Sequence, residues 1–557
     1  MASRRDELNA YSFARKRTNA AFLKPLPNGS IESAPKPLKA VMPSIMVALL
    51  ILVGFGACGI LKPVAPQGWD AVRTNVLVGS ESTTRYVVLK NKNGQKLLHP
   101  ILNLASAKLL LDPDKFKVVS VKEAELDGKL PHGAAVGIPY APDRLPSTDD
   151  VDKPKVWAVC NRPGSSGNTN SKPQQAVFVL GDKDKSKVDG QGKLDLDQAL
   201  YVEDENDEKW LVDSNGIAFK FDATLAEFAN GRFKQPGVDP VQANSTLRRI
   251  IFGEAVPQKV TQDWMDTLIK SPLPIYMPTI EGVGQPGSGK GVPEKYNKVG
   301  TVVEDGSSGQ KYVVLPQGVQ QVSNFVAKLL LQGPTGQKLN GGDSVIAPKV
   351  ASGSLDPMPD SQDPDKTAKY LGNIPFGSYT DIEMPWPTEA VDAANNFKSG
   401  SMTGGLTSPT PNGVSCSVYT GTSTKYPGDA GKALGFPNGV PNMQTWVGKD
   451  YPAKIAAGSN SYVTPGSGLL FNQVNTGAQK AGDGSLFLVT DTGLRYSVPK
   501  GNDSNTHTGK GDQEVDQAQI HLGYKGAHPP LILKAWSSLL SAGPNLAVSD
   551  AEKPQSS

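Results

Sequence analysis

The sequence has 557 residues, room for about four domains or one long composite body, and this excludes a single small core. Charged residues make up 20% and the hydrophobic set 38%, with 58 Gly and 45 Pro, a turn-rich composition short of low complexity. A formal net charge of +3 gives no general case for nucleic acid, which needs a concentrated basic face, so no nucleic-acid partner is expected.

Residues 1 to about 23 read as a helix of modest amphipathicity, and a Pro-rich linker carries the chain to Lys39. The triplet Arg15, Lys16, Arg17 suits anionic headgroups or a partner subunit, and serves equally well as a topology signal. From 40 to 61 the chain reads AVMPSIMVALLILVGFGACGIL without a charge, between Lys39 and Lys62. About 22 residues at ~1.5 Å each reach roughly 33 Å, enough for the hydrocarbon core of a bilayer, so one transmembrane helix is expected. Arg4, Arg5, Lys24, Lys36 and Lys39 add to the basic triplet before the span, whereas only Lys62 and Arg73 follow closely. The N-terminus is therefore expected in the cytoplasm, and the bulk of the chain outside the plasma membrane, where cysteines oxidise. The competing reading is a lipoprotein signal ending at Gly56-Ala57-Cys58. A charged region of about 40 residues and the long apolar stretch both exceed the usual signal dimensions, which leaves Cys58 as a small polarizable residue within a helix.

Beyond the span the chain repeats itself. Arg85-Tyr86-Val87-Val88-Leu89 returns as Lys311-Tyr312-Val313-Val314-Leu315, each followed by Ala-Lys-Leu-Leu-Leu, at Ala107 and at Ala327. A second pattern links Pro257, Trp264, Leu268 and Pro272 with Pro529, Trp536, Leu540 and Pro544 at equal offsets, preceded by Phe252-Gly253 and Leu522-Gly523. These patterns imply four related units at 75–125, 200–275, 300–350 and 483–550, each a hairpin covered by a short helix, with Trp264 and Trp536 as packing residues. Residues 126–199 and 351–482 carry short strands such as 155–159, 176–180 and 413–419, and together suit one central β domain; 551–557 is a tail. The expected fold class is α+β and β-rich: a single-pass membrane protein with an elongated extracytoplasmic region of four small repeats around a central β domain. Cys160 and Cys416 fall on candidate strands, one in each central segment. A bond between them would close a loop of about 256 residues and act as a structural clamp worth roughly 5 kcal/mol in the chain-entropy model.

Chemistry is harder to find. Three cysteines without a C-x-x-C pair supply no four-thiolate zinc site, and His99, His132, His507, His521 and His528 include no H-E-x-x-H. The one phosphate-loop match is Gly284-Gln285-Pro286-Gly287-Ser288-Gly289-Lys290. Gly291 stands where Ser or Thr is needed, Pro286 lacks an N–H and no helix pattern follows, so Gly284, Gly289 and Lys290 read as a linker between repeats rather than a nucleotide site. The acidic run 203–208 and the Asp182/Asp184 pair lack the calcium-loop spacing and read as solvated hairpin ends. His99, before Pro100, has no local carboxylate or cysteine partner and reads as structural. No catalytic residue, cofactor or metal site is expected, although an extracytoplasmic enzyme, either a nucleotide hydrolase using Lys290 or a cell-wall hydrolase in the central domain, is the alternative class.

Several motifs carry a resemblance. LLHPILNLASAKLLL (97–111), YSFARKR, GILKP with Trp69, TTRYVVL, GIPYAPDRLP (137–146), WAVC (157–160) and the C-terminal LGY with its Pro–Trp–Leu–Gly-Pro tail resemble, in order, the EccB family of actinobacterial type VII (ESX) secretion. The resemblance implies a cytoplasmic helix, one membrane span, four repeats around a central domain, and a disulfide between the residues corresponding to Cys160 and Cys416. It also implies a structural subunit scaffolding the secretion channel together with EccC, EccD and EccE, self-associating, touching membrane lipid, and meeting WXG100-type exported proteins only indirectly. Family descriptions attribute an ATPase activity to EccB, and no catalytic residue is carried over from them.

Overall fold

The computed structural model describes residues 3–23, 37–60, 65–163, 172–228, 231–341, 346–358, 386–395, 413–423, 440–475, 484–499 and 517–555. It comprises two units: Met1–Asp70 with Leu77–Thr83 and Val119–Leu130, and all the rest.

The first unit includes two long helices, Arg4–Leu23 and Pro37–Ile60, and a short one, Glu123–Lys129. Asp6 and Glu7 sit in the first turn of the former, where carboxylates complement the N-terminal dipole. In the latter the side chains of 41–55 are all exposed, with Met42 at 72%, Leu52 at 73% and Phe55 at 78%. Those of 37–40 and 56–60, Cys58 included, lie outside the described residues. Among the described residues, no helix is long and apolar enough to cross a membrane. The unit also contains a turn tied by one carboxylate. Glu123, at the start of the helix Glu123–Lys129, accepts the N–H groups of Ser82 at 2.7 Å and Glu81 at 3.0 Å. These bonds, that from Ser82 foremost, hold its carboxyl down at about 2.

The second unit is mixed α+β and rich in sheet. Its central sheet runs in the order Val440–Gly448, Val414–Ser423, Val156–Arg162, Gln174–Leu180, Ser461–Val463. Two stretches of chain far apart in sequence thus share one sheet, because runs such as VWAVC and QAVFVL bury both faces and need cover on each side.

Two further sheets share one plan. In the first, Gln198–Glu203, Lys209–Asp213 and Ile217–Lys220 form an antiparallel meander flanked by the two-residue parallel strands Gln258–Lys259 and Ile269–Lys270. In the second, Leu469–Val474, Ser485–Val489 and Leu494–Ser497 are flanked in parallel by Leu531–Leu533 and Ser541–Ala542. Between each pair of flanking strands sits a one-turn helix bearing a tryptophan, Gln262–Met265 with Trp264 and Lys534–Ser537 with Trp536. Leu469–Val474, within the stretch expected for the central domain, pairs instead with Ser485–Val489, and Asp392–Ala393 pairs with Gln198–Glu203.

The Tyr-Val-Val-Leu strands behave alike. Arg85–Lys90 pairs antiparallel with Lys96–Pro100, and Lys311–Leu315 with Gly318–Val322; each hairpin precedes a short helix, Leu104–Leu110 or Asn324–Gln332. Both helices are capped by a side-chain oxygen at the preceding residue: Asn103 accepts the Ser106 N–H at 3.0 Å and Ser323 the Val326 N–H at 3.1 Å.

The cores follow this pairing. One cluster joins Val87, Leu109 and Leu110 to Leu488, Tyr496, Leu522 and Leu546, bringing early and late chain together. A larger one joins Leu200, Phe219, Ile251 and Trp264 to Val313, Phe325 and Leu330, and reaches Trp157 and Trp536 beside the central sheet.

Candidate functional site

The centre of the second unit is the strand pair that carries two cysteines. Cys416 lies directly opposite Cys160 in antiparallel register, and the two are joined as a disulfide, Cα atoms 4.0 Å apart, at a sequence separation of 256. Both are fully buried. The bond therefore fastens the sheet from within, at the point where the two distant stretches meet.

Polar side chains tie the neighbouring meander to this strand pair. The Gln258 side chain donates to the Asn161 carbonyl at 3.3 Å, and its oxygen accepts the Ser415 hydroxyl and, at 3.2 Å, the Asn395 amide. Asn395 in turn bonds both the N–H and the carbonyl of Tyr201, each at 2.9 Å. Asn161 and Ser415 are the neighbours of the two cysteines, so one glutamine reads both bridged strands. Gln258, Ser415 and Asn395 are buried, and these bonds offset the cost of removing polar groups from water.

Trp264 and Trp536 occupy matching places with different partners. Trp264 is fully buried and donates its Nε1–H to the Val159 carbonyl at 2.9 Å, which anchors it on the cysteine-bearing strand. Trp536 packs near Tyr419, ring centres 5.9 Å apart, and its buried Nε1 has no partner. Both are packing residues, as their helical spacing suggested.

The Ala-Lys-Leu-Leu-Leu motifs contain a pair of contacts that sequence reasoning missed. Lys108 donates to the Leu522 carbonyl at 3.1 Å, just past the helix Gln517–His521. Lys328 donates to the Ile251 carbonyl at 2.9 Å, in the last turn of the helix Pro240–Phe252. The final carbonyls of a helix lack intrahelical donors and carry its negative dipole end, so an ammonium there satisfies an orphan acceptor and a charge at once. Each helix gives way to a glycine in the positive-φ region, Gly523 at 93° and Gly253 at 60°, which turns the chain aside. Burial lowers both lysines from their ordinary value; for Lys328 the Asp392 charge opposes part of that shift. The signal was present in the sequence: the same lysine in both motifs, and Phe-Gly or Leu-Gly at the helix ends it reaches.

The phosphate-loop-like segment is folded onto the chain itself. The N–H groups of Gly284, Gly287 and Gly289 donate to the Val299 carbonyl, the Asn297 carbonyl and the Asn297 side chain at 3.0, 2.9 and 2.9 Å. Gly291 adopts φ +80°, and a Cβ there would lie 1.7 Å from the Ser354 carbonyl oxygen, so no Ser or Thr fits where magnesium chemistry would require one. Lys290 faces solvent and pairs with Asp356 at 3.4 Å. The donors that a phosphate cradle turns inward are spent on internal acceptors.

The other candidates resolve into structural contacts. Asp204 in the acidic run accepts the N–H groups of Asn206 and Glu208 at 2.9 and 3.0 Å and the Trp210 indole N–H at 3.0 Å, forming a hairpin turn. Asp184 accepts Tyr462 and Thr464 hydroxyls at 2.7 and 2.9 Å and pairs with Lys187. The Nδ1 atoms of His99 and His521 lie 2.7 and 2.8 Å from the Ala134 and Leu111 carbonyls, while His507 lies outside the described residues. Among the described residues, no group of three or more His, Cys, Asp or Glu is placed to hold a metal ion.

The family model described as type VII secretion system ESX-1, transport TM domain B (EccB) matches residues 1–555. The chain is 25% identical over 531 residues to the ESX-3 secretion system ATPase EccB3 of Mycobacterium tuberculosis, covering 92% of this chain and 82% of that one. It is 27% identical over 294 residues to the ESX-1 secretion system ATPase EccB1 of Mycolicibacterium smegmatis, covering 52% and 54%. Its fold resembles a chain in the structure of an intact ESX-5 inner membrane complex, with a TM-score of 0.50 at 18% identity over 100% of this chain and 96% of the other.

Proposed function

We infer from one fact, that this chain belongs to the EccB family of the type VII secretion system, that it works as a structural membrane subunit whose task is to hold other parts of a secretion complex in place. The way the chain uses its polar groups supports this reading. The disulfide, the Gln258 network and the two lysines on helix ends all join stretches remote in sequence, and rigidity of this kind suits a scaffold. Four repeated units, near 75–125, 200–275, 300–350 and 483–550, around a central β domain give such a scaffold several similar surfaces for self-association.

Residues 40–61 cross the plasma membrane once. The uncharged run, the basic residues ahead of it and the exposed aliphatic side chains of 41–55 support this placement, because such a surface is stable against lipid and not against water. The N-terminal helix then lies in the cytoplasm and the second unit outside. In the ESX-5 inner membrane complex a chain of this fold is one component; here the companions are the motor ATPase EccC together with EccD and EccE. The relatives carry "ATPase" in their names, yet the segment around Lys290 offers phosphate no free cradle, so hydrolysis is assigned to the motor subunit.

Topology is tested with single cysteines introduced by Ser12→Cys or Ser459→Cys in a Cys58→Ser background. A membrane-impermeant maleimide should label the Ser459→Cys protein on intact cells and the Ser12→Cys protein only after lysis. Labelling of Ser12→Cys on intact cells would overturn the orientation.

A further inference from the structure

One cleft of the second unit is left unused by everything described so far. It opens at the edge of the central sheet beside the disulfide, with a volume of about 770 Å³, within the usual range for ligand sites. The outermost strand, Ser461–Val463, pairs with residues 177–179 of Gln174–Leu180 and, among the described residues, no further. Residues 174–176 continue into the wall of the cleft. The Val177 N–H points outward to the Asn460 carbonyl at 2.9 Å, and the two-residue period of a strand turns the Gln175 backbone to the same edge. A strand edge open over a few residues is a place where a further extended chain adds on.

The other wall is cationic and preorganised. The Arg162 guanidinium lies 4.3 Å from the centre of the Tyr451 ring, and the Tyr451 hydroxyl donates to the Gln174 carbonyl at 3.1 Å. Arg162 is thus fixed by stacking before any ligand arrives, the arrangement in which arginine and tyrosine contribute most to binding. Its Nε is buried without a partner, and one of its terminal nitrogens meets Asp450 at 2.8 Å. That Asp450 side chain is 79% exposed, so the ion pair is held against solvent and is readily exchanged. Lys187 and Lys454 also line the cleft, Lys187 sharing its charge with Asp184, and among the described residues of the lining Asp450 is the sole carboxylate.

We propose that this cleft binds an extended acidic peptide of a partner protein. Its backbone adds to the strand edge at residues 174–176, and one of its carboxylates takes the place of Asp450 on Arg162, with Lys454 beside it. Charge complementarity selects the acidic side chains and the open edge selects an extended backbone. This binding is separate from the scaffold role and does not depend on it.

The test uses the full-length protein in detergent and a fluorescein-labelled ten-residue peptide of alternating Glu and Thr, read by fluorescence anisotropy. Binding should weaken at least tenfold when Gln replaces Glu in the peptide, and Lys454→Glu should weaken it several-fold. Asp450→Asn removes the competing carboxylate and should tighten binding several-fold, a gain that a damaged fold does not produce. Arg162→Gln should abolish binding. Equal affinity for the Glu and Gln peptides, or no gain from Asp450→Asn, would overturn the proposal. So would tighter binding of an oligogalacturonate of equal charge, which would make the cleft a site for an anionic glycan.

Discussion

Lys108 and Lys328 show how much a single side chain does when it reaches a stretch of chain remote in sequence. Replacing Lys328 with Met keeps the stem and removes the donor, leaving the Ile251 carbonyl at a helix end without it. The expected loss is about 1–3 kcal/mol, roughly 5- to 150-fold faster hydrogen exchange in Pro240–Phe252; an exchange rate unchanged from wild type would show that the contact is incidental. The pH sign follows from burial. With its value lowered from 10.5, Lys328 holds fewer protons folded than unfolded in the alkaline window below 10.5, so its contribution to stability rises with pH across that window. The disulfide belongs with these contacts. Cys160→Ser should cost about 2–5 kcal/mol and make the second unit easier to digest under oxidising conditions, and undiminished protease resistance would count against a clamp. The cysteines stood out in the sequence because so few exist and two fell on strand-like runs. The lysines did not, since a lysine on a short helix is ordinarily solvated, and only their repetition hinted otherwise.

Helices and strands were readable where their apolar pattern was strong. The Tyr-Val-Val-Leu strands, the Ala-Lys-Leu-Leu-Leu helices and the strands at Val156–Arg162, Gln174–Leu180 and Val414–Ser423 all lie where alternation or buried runs placed them. Flanking strands of two residues, such as Gln258–Lys259, have no periodicity to read; tertiary pairing alone creates them. The same limit explains Leu469–Val474, whose apolar run suits any sheet and whose partner is set by the hairpin that follows it. The tryptophan helices supply the test for elements. Trp264→Phe takes the donor from Val159, whereas Trp536→Phe removes an unpaired buried N–H. The first substitution should therefore destabilise more than the second by about 1 kcal/mol, visible as a larger drop in melting temperature; equal drops would mean that ring volume alone decides.

The molecule as a whole joins a helix of exposed aliphatic side chains in one unit with a large sheet-rich second unit. Composition and charge give no general case for nucleic-acid binding, and the ordered motifs already point to a secretion family. The acidic-peptide cleft had no such signal, because Arg162, Lys187 and Tyr451 are brought together only by the central sheet. Scaffolding is a property of assemblies, so its decisive test is made on the assembly. Tagged full-length protein, purified from its own membranes in mild detergent, should appear in a large complex containing a motor ATPase and a many-span subunit. Full recovery as a lone monomer, under conditions in which other membrane complexes survive, would contradict the scaffold role.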